Sequence, residues 1–261
     1  MNHSHRSGPQ IYLISRPEID LNAIELFLRR RDLDWARTKD AHSPEELVEF
    51  AGRVCYLSFT KDTAKVRYPN SRYIENLIQQ GHESVLEHAT WTFVFDGVSR
   101  AFTHQLVRHR IGFSYSQLSQ QYFEDDAFDP VEPVELAEHP ELREIWRASI
   151  ESAREAYRRL LKGFQQSLSS RDKESLRSVR SAARTLLPNA TATAIVVTAN
   201  ARALRHFLDL RGAIAGDSEM RAVCVRLLEV LRLEAPELFS DFQIVDTDDS
   251  IGSVAKVDTS Q

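Results

Sequence analysis

The sequence predicts an α+β fold in which a small antiparallel sheet lies against a large helical layer. Three observations lead there. Pro140 to Leu168 keeps its apolar residues at helical spacing for about eight turns. Thr90 to Phe95 alternates with period two, setting Trp91, Phe93 and Phe95 on one face and Thr90, Thr92 and Val94 on the other. No internal repeat and no convincing linker divides the chain, so residues 1–245 read as one domain. The polar, acidic stretch 246–261 reads as a disordered tail.

Ile11 to Ile14 opens the chain as a short apolar strand, and Leu21 to Arg30 follows as a helix. Ser43-Pro44-Glu45-Glu46 then supplies an N-cap, a first-turn proline and acidic residues at the positive end of a second helix. Leu47, Phe50, Val54 and Leu57 are its expected buried face. Tyr73 to Gln80 is a third helix, stopped by Gly81, and the polar run Gly81 to His88 connects it to the strand at Thr90, which Asp96-Gly97 ends. Ser99 caps a helix through Arg110, on which Gln105, Arg108 and His109, spaced i, i+3, i+4, share a face.

Beyond it, a strand would put Phe113 and Tyr115 on one side and Ser114 and Ser116 on the other. Glu124 to Pro133 is an exposed acidic loop. Leu142, Ile145, Trp146, Ala153, Tyr157, Leu160, Leu161, Phe164 and Leu168 mark the long helix. Asp172 caps another, ending at Pro188, with Leu176, Val179, Ala183 and Leu187 inward and Arg177, Arg180 and Arg184 along one face. Thr191 to Leu210 reads as a helix that also carries Asn200, Arg202, Arg205, His206 and Arg211. So much charge on a largely apolar element implies a bordering site or subunit interface. Gly212 to Gly216 breaks it. Asp217 or Ser218 starts a last helix through Leu233, and Phe239 to Val245 adds a strand.

At 261 residues, with a formal charge of -5 and a pI near 6.0, the chain can bury a sizeable core and is no general binder of nucleic acid or membrane surfaces. Local basic clusters remain open to a small anion. Its two cysteines, Cys55 and Cys224, lie in apolar helical patterns and read as core, without a disulfide framework. No apolar run is long enough to span a membrane, Met1 to Gln10 lacks the apolar stretch of a signal peptide, and a cytoplasmic protein is expected.

The glycine-rich nucleotide fingerprints, H-E-x-x-H and C-x-x-C are absent, no ligand spacing unites His82, His88, His104 and His109, and no metal site is expected. The densest chemistry is Gln105 to Tyr122, where Arg108-His109-Arg110 precedes alternating aromatic and hydroxyl side chains. A solvated helix end followed by an edge strand accounts for it as well as a ligand site does. Arg108, Arg110, Arg184, Arg202 and Arg211 lie on three elements; converging, they would suit a planar, phosphorylated substrate, and apart they would pair with surface carboxylates.

The motifs resemble the flavin-dependent thymidylate synthases, whose signature is Arg-His-Arg, seven residues, Ser, and shortly afterwards Arg with an aromatic residue. Arg108-His109-Arg110 and Gln117-Leu118-Ser119-Gln120-Gln121-Tyr122 carry the likeness. Gly81-His82-Glu83-Ser84 with Glu87-His88, Gln105, Ala182 to Asn189, Asn200-Ala201-Arg202 and Phe207 to Arg211 support it. The resemblance implies that family's fold and a homotetramer with FAD and active sites at subunit interfaces. It implies transfer of a methylene from methylenetetrahydrofolate to C5 of a uridylate, with NADPH as reductant and no enzyme nucleophile.

Position by position, Ser84, Arg108, His109, Arg110, Asn200, Arg202 and His206 match flavin contacts. Gln105, Arg108, Ser119, Gln120, Gln121 and Arg184 match nucleotide contacts, and Gln117 matches a residue touching both. Arg211 matches the arginine that activates uracil. Three departures stand out. Eight residues separate Arg110 from Ser119, Gln121 occupies the place of a family arginine near the phosphate, and Gly212 to Asp217 lacks the family's usual polar residues. All surround the nucleotide, which points to a UMP and/or dUMP methylase of the kind found in nucleoside-antibiotic pathways. The alternatives are an ordinary dUMP-specific thymidylate synthase and a non-catalytic flavin- and nucleotide-binding relative.

Overall fold

The principal sheet has four strands, β1 (Gln10–Ser15), β2 (Thr90–Ser99), β3 (Phe113–Gln117) and β4 (Ala192–Asn200), in the order β1-β2-β4-β3. This computed structural model describes residues 8–59, 69–122, 129–169 and 172–257. Arg100 N donates to Thr191 O and Ala201 N to Ala89 O, so β2 and β4 run antiparallel. Leu118 N to Ala194 O and Asn200 N to Gly112 O make β3 and β4 antiparallel as well. Trp91, Phe93 and Phe95 are buried as the alternation requires. The strand does not stop at Asp96-Gly97: Gly97 takes φ +71° and pairing continues to Ser99.

β4 overturns an expected helix. Its burial alternates strictly, with Thr193, Ile195, Val197 and Ala199 inward. Five of the nine residues from Ala192 to Asn200 are β-branched, and they fit a pleated surface better than a helix. The helical part begins only at α7 (Ala201–Arg211), where Asn200 Oδ1 accepts from Ala203 N at 2.9 Å.

The chain forms two compact units. The first comprises residues 1–10, 95–108 and 115–196. It holds α4 (Arg100–Leu106), capped by Ser99 Oγ accepting from Phe102 N at 2.9 Å, and α5 (Pro140–Ser167) packed on α6 (Lys173–Ala183) through Tyr157, Leu161, Val179 and Ala183. α4 ends at Leu106, so Arg108 and His109 lie beyond it and do not share a helical face with Gln105. α6 is capped by Asp172 and ends at Ala183; Arg184–Leu186 is a separate 3-10 turn, which takes Arg184 off the row of Arg177 and Arg180. On α5, Leu142, Ile145, Leu160 and Phe164 are exposed rather than inward. Residues 124–128 of the expected acidic loop lie outside the described residues, and Val131 N donates to Ala190 O at 2.8 Å.

The second unit comprises residues 11–94, 109–114 and 197–261. It contains α1 (Leu21–Arg30), α2 (Ser43–Tyr56), α3 (Asn70–Gln79), α7 and α8 (Ser218–Glu234). α2 is turned from its expected orientation: Val54 and Leu57 are exposed, while Glu45, Glu46, Val48, Glu49 and Gly52 are buried. The acidic residues tolerate burial because each has partners. Glu49 accepts from Trp35 Nε1, Arg53 Nε and Asn70 Nδ2 at 3.1, 2.7 and 2.7 Å, and Glu46 binds Arg37 through both oxygens at 2.7 Å. His42, not Ser43, occupies the cap position. Cys224 is buried as expected, but Cys55 is exposed near the end of α2. The 246–261 stretch, expected as a tail, contributes β6 (Ser253–Lys256), antiparallel to β5 (Phe242–Val245) from Phe242↔Lys256 to Val245↔Ser253.

Candidate active site

In the second unit, Phe113 N donates to Arg110 O at 3.3 Å and Gly112 has φ +74°, which makes Arg110 to Phe113 a type II turn with Ile111 at its tip. The sequence runs one residue longer than the family spacing in the stretch from Arg110 to Ser119, which this turn opens. A Cβ on Gly112 would stand 2.7 Å from the Ala203 Cβ, so glycine is required by space as well as by φ. Ile111 is 90% exposed.

The turn sets His109 against α7. Its ring meets Phe207 edge-on at 5.0 Å and lies 6.5 Å from the His206 ring. Arg211 Nε donates to His109 Nε2 at 3.2 Å. Burial, then the positive charge of Arg211, then His206, lower the His109 pKa from its ordinary value of 6.5. His109 is therefore neutral near pH 7, with Nε2 as acceptor and its proton on Nδ1.

Arg202 and His206, one turn apart, face solvent on α7. Arg202 bonds Glu87 at 2.7 Å and Glu83 at 3.5 Å, both on the 3-10 helix Glu83–His88 that also carries exposed Ser84. Ser84, His109, Asn200, Arg202, His206 and Arg211 all belong to this unit, as does Arg110. Among the described residues, no group of three or more His, Cys, Asp or Glu side chains is placed to hold a metal.

The first unit holds the remaining candidates. A cavity of about 270 Å³ is lined by Arg100, His104, Gln120, Arg184, Thr185 and Asn189, among others, and Arg100 Nη2 donates to Gln120 Oε1 at 2.8 Å. Two guanidinium groups, an imidazole and two amides suit an anion with several acceptor oxygens. Gln121 is turned aside, its Nε2 donating to Ser181 Oγ at 3.2 Å, while Ser119 Oγ accepts from Gln121 N at 3.3 Å. Gln117 Nε2 donates to Thr103 Oγ1 at 2.9 Å, and Arg108 N to Gln105 O at 3.2 Å. Arg177 does not join the cavity's arginines: it pairs with Glu174 and lies over the Tyr122 ring.

Sequence reasoning missed Arg100, His104 and Asn189. The signal for the first two was present, since Arg100 and His104 are i, i+4 on a helix whose cap, Ser99, had been identified.

Fold and side-chain chemistry define an α+β protein with a cationic cavity that suits an anion. A family model described as thymidylate synthase complementing protein matches residues 38–237, and the chain belongs to this family, the flavin-dependent thymidylate synthases. It is 41% identical over 228 residues to the flavin-dependent thymidylate synthase of Corynebacterium diphtheriae, covering 87% of this chain and 90% of that one. It is 43% identical over 215 residues to the enzyme of the same name from Mycolicibacterium gilvum, covering 82% and 84%. With the one from Mycobacterium marinum it shares 42% identity over 228 residues, covering 87% and 90%. No helix among the described residues is long and apolar enough to cross a membrane.

Proposed function

We propose that this protein is an FAD-dependent methylase of uracil C5 that accepts UMP as well as dUMP, with methylenetetrahydrofolate as carbon donor and NADPH as reductant. The observation that carries the reading is the Arg211–His109 bond, which ties a guanidinium to the middle residue of the Arg108-His109-Arg110 motif. Directed at the pyrimidine edge, that guanidinium stabilises the uracil ring as it loses the N3 proton, raising electron density at C5 toward the incoming methylene.

The second unit's residues suit a flavin nucleotide. Arg202 and His206 present donors on the exposed face of α7, close to its N-terminal backbone N–H groups, where a pyrophosphate is favoured. Ser84, Asn200, His109 and Arg110 offer further hydrogen-bonding groups; Gln117 and Arg108, which belong to the first unit, are proposed as flavin contacts on the family resemblance alone. When bound, the flavin supplies the hydride that completes the methyl group. The nucleotide phosphate is assigned to the cavity lined by Arg100, Gln120 and Arg184, with Gln105, Arg108, Gln117, Ser119 and Gln121 as further nucleotide contacts.

Acceptance of UMP is inferred from the extra residue between Arg110 and Ser119, from Gln121 in the place of a family arginine, and from a Gly212 to Asp217 stretch that lacks the family's usual polar residues. A cytoplasmic homotetramer is proposed as the working form, and the exposed Leu142, Ile145, Leu160 and Phe164 on α5 give it apolar surface to bury. Parallel turnover assays with UMP and dUMP, methylenetetrahydrofolate and NADPH test the substrate reading. Methylation of both is expected; activity with dUMP alone would leave an ordinary thymidylate synthase, and flavin-bearing protein without either activity a binding relative.

A further inference from the structure

We propose that the C-terminal hairpin β5–β6 is a brace that sets the position of Arg211. The hairpin lies beyond residue 237, where the family match ends. Its second strand docks on the residue that follows Arg211: Val254 N donates to Gly212 O at 2.8 Å, and Gly212 N donates to Leu208 O at 2.8 Å, closing α7. The approach is so close that a Cβ on Gly212 would stand 2.5 Å from Leu208 O and 2.6 Å from both Val254 Cβ and Val254 O. Gly212 has an ordinary helical φ of -61°, so the glycine serves this contact and not a backbone conformation. Val254 is itself buried.

The hairpin is held at its turn as well. Arg221 of α8 donates to Gly252 O at 3.2 Å and to Thr247 Oγ1 at 3.4 Å, and it pairs with Asp249 through both guanidinium nitrogens. Asp249 Oδ1 in turn accepts from Ile251 N at 3.1 Å, and Thr247 Oγ1 accepts from Gly252 N at 3.0 Å. Arg221 and Thr247 beside it hold the Asp249 carboxyl well below the usual carboxylate range, so the pair stays ionised through the working pH range. Farther along, Val257 N donates to Asp241 O at 2.6 Å, and Asp241 carries the buried ion pair with Arg205 of α7 at 2.6 Å. One hairpin thus grips α7 at its C-terminal end and, through Asp241, in its middle.

The catalytic meaning given to Arg211 rests on the proposed function; the brace itself does not, and its readout is chosen accordingly. His109 is lowered by its burial and then by the charges of Arg211 and His206, and Arg221 is not among these causes, so Arg221→Gln reaches the His109 titration by way of α7 and Arg211. Histidine ¹³C NMR of three full chains decides: wild type, Arg221→Gln, and Arg211→Ala as the reference for a lost contact. A chain truncated after Val245 is the fourth sample. The brace predicts that His109 titrates higher in Arg221→Gln and in the truncated chain, moving toward the Arg211→Ala value. The accompanying fall in kcat is roughly tenfold to hundredfold, as for a small misplacement of a reacting group, with KM for the nucleotide nearly unchanged. A His109 titration identical to wild type in Arg221→Gln overturns the brace, whether or not the truncated chain folds. A shifted titration in protein that turns over no uridylate leaves the brace standing and removes the proposed function.

Discussion

Arg211 donates its Nε–H to His109 Nε2 at 3.2 Å, two residues separated by about a hundred positions in sequence and brought together by a turn and a helix end. The bond works only if His109 is neutral, and Arg211's own charge helps keep it so. Donor and acceptor therefore reinforce one another: the guanidinium is oriented by an acceptor whose basicity it suppresses. An arginine held through Nε keeps its two terminal nitrogens directed outward as a fork, the geometry that a pyrimidine edge or a carboxylate can use.

The sign of the pH dependence follows. His109 has a folded pKa below its ordinary 6.5, so the stability it contributes is fully present above that value and is lost as pH falls through the lowered one. Activity should fall on the acid side in parallel, as protonation of Nε2 breaks the bond and sets two cations side by side. In Arg211→Ala the His109 titration should rise, while residual burial and His206 keep it at or below 6.5. Histidine NMR reads the first effect and the acid limb of kcat against pH in the wild-type chain the second; an acid limb that does not coincide with the wild-type His109 titration would dissociate His109 from activity.

The Arg100 guanidinium gives a different kind of prediction. It reaches Gln120 at 2.8 Å from the first turn of α4 and lines the cavity with Arg184. If that cavity holds the nucleotide phosphate, Arg100 binds ground state and transition state alike, and its loss raises KM without lowering kcat. Arg100→Ala should weaken uridylate binding roughly tenfold to hundredfold, the worth of a charge-assisted hydrogen bond. Titration calorimetry with UMP and dUMP measures it, and unchanged affinity for both would move the phosphate elsewhere.

How much of this was legible in the chain depends on which physical signal each element carries. The helix at Leu21 to Arg30 and the cap at Ser99 follow from local chemistry, and the structure has them where the residues put them. β4 was misread because Ala, Thr and Val from Ala192 to Asn200 also satisfy a helical apolar pattern; the β-branched content and period two were the better guides. On α2 the apolar periodicity points to the wrong face, because the burial of its glutamates depends on Trp35, Arg37 and Asn70 from outside the helix as well as on Arg53 one turn along it. The i, i+4 rule finds Arg53, and no local rule finds the other three. The site divides in the same way: the Arg108-His109-Arg110 motif is visible as letters, whereas the Arg211–His109 bond and the Arg100 cavity depend on tertiary geometry.

Glu49 is the most heavily used of the buried carboxylates, accepting from Trp35, Arg53 and Asn70 at once. Glu49→Ala strands a guanidinium and two neutral donors in the interior. Removing one partner from such a network costs about 3–5 kcal/mol, a large share of the stability of an ordinary domain. Urea unfolding should show a correspondingly lower midpoint, with Glu49→Gln intermediate because it retains one acceptor oxygen. A midpoint for Glu49→Ala within error of wild type would show that the carboxylate is not the centre of the network.

Glu45 is a second buried carboxylate on α2. It is buried, and the bond from Glu237 N at 2.6 Å does not offset its loss of water, so its pKa is raised above the ordinary 4.5. A carboxyl raised in the folded state contributes stability that is present below the ordinary value and lost as pH rises through the raised one. Ionising Glu45 therefore sets a charge in the interior that the folded chain would be more stable without. Glu45→Gln keeps an oxygen to accept from Glu237 N and removes the charge. It should be more stable than wild type near pH 7, with the difference shrinking as pH drops below 4.5, where Glu45 is protonated in both folded and unfolded chains. Thermal unfolding of the pair at pH 7 and at pH 4 separates this from simple packing, since a packing effect would be the same at both values.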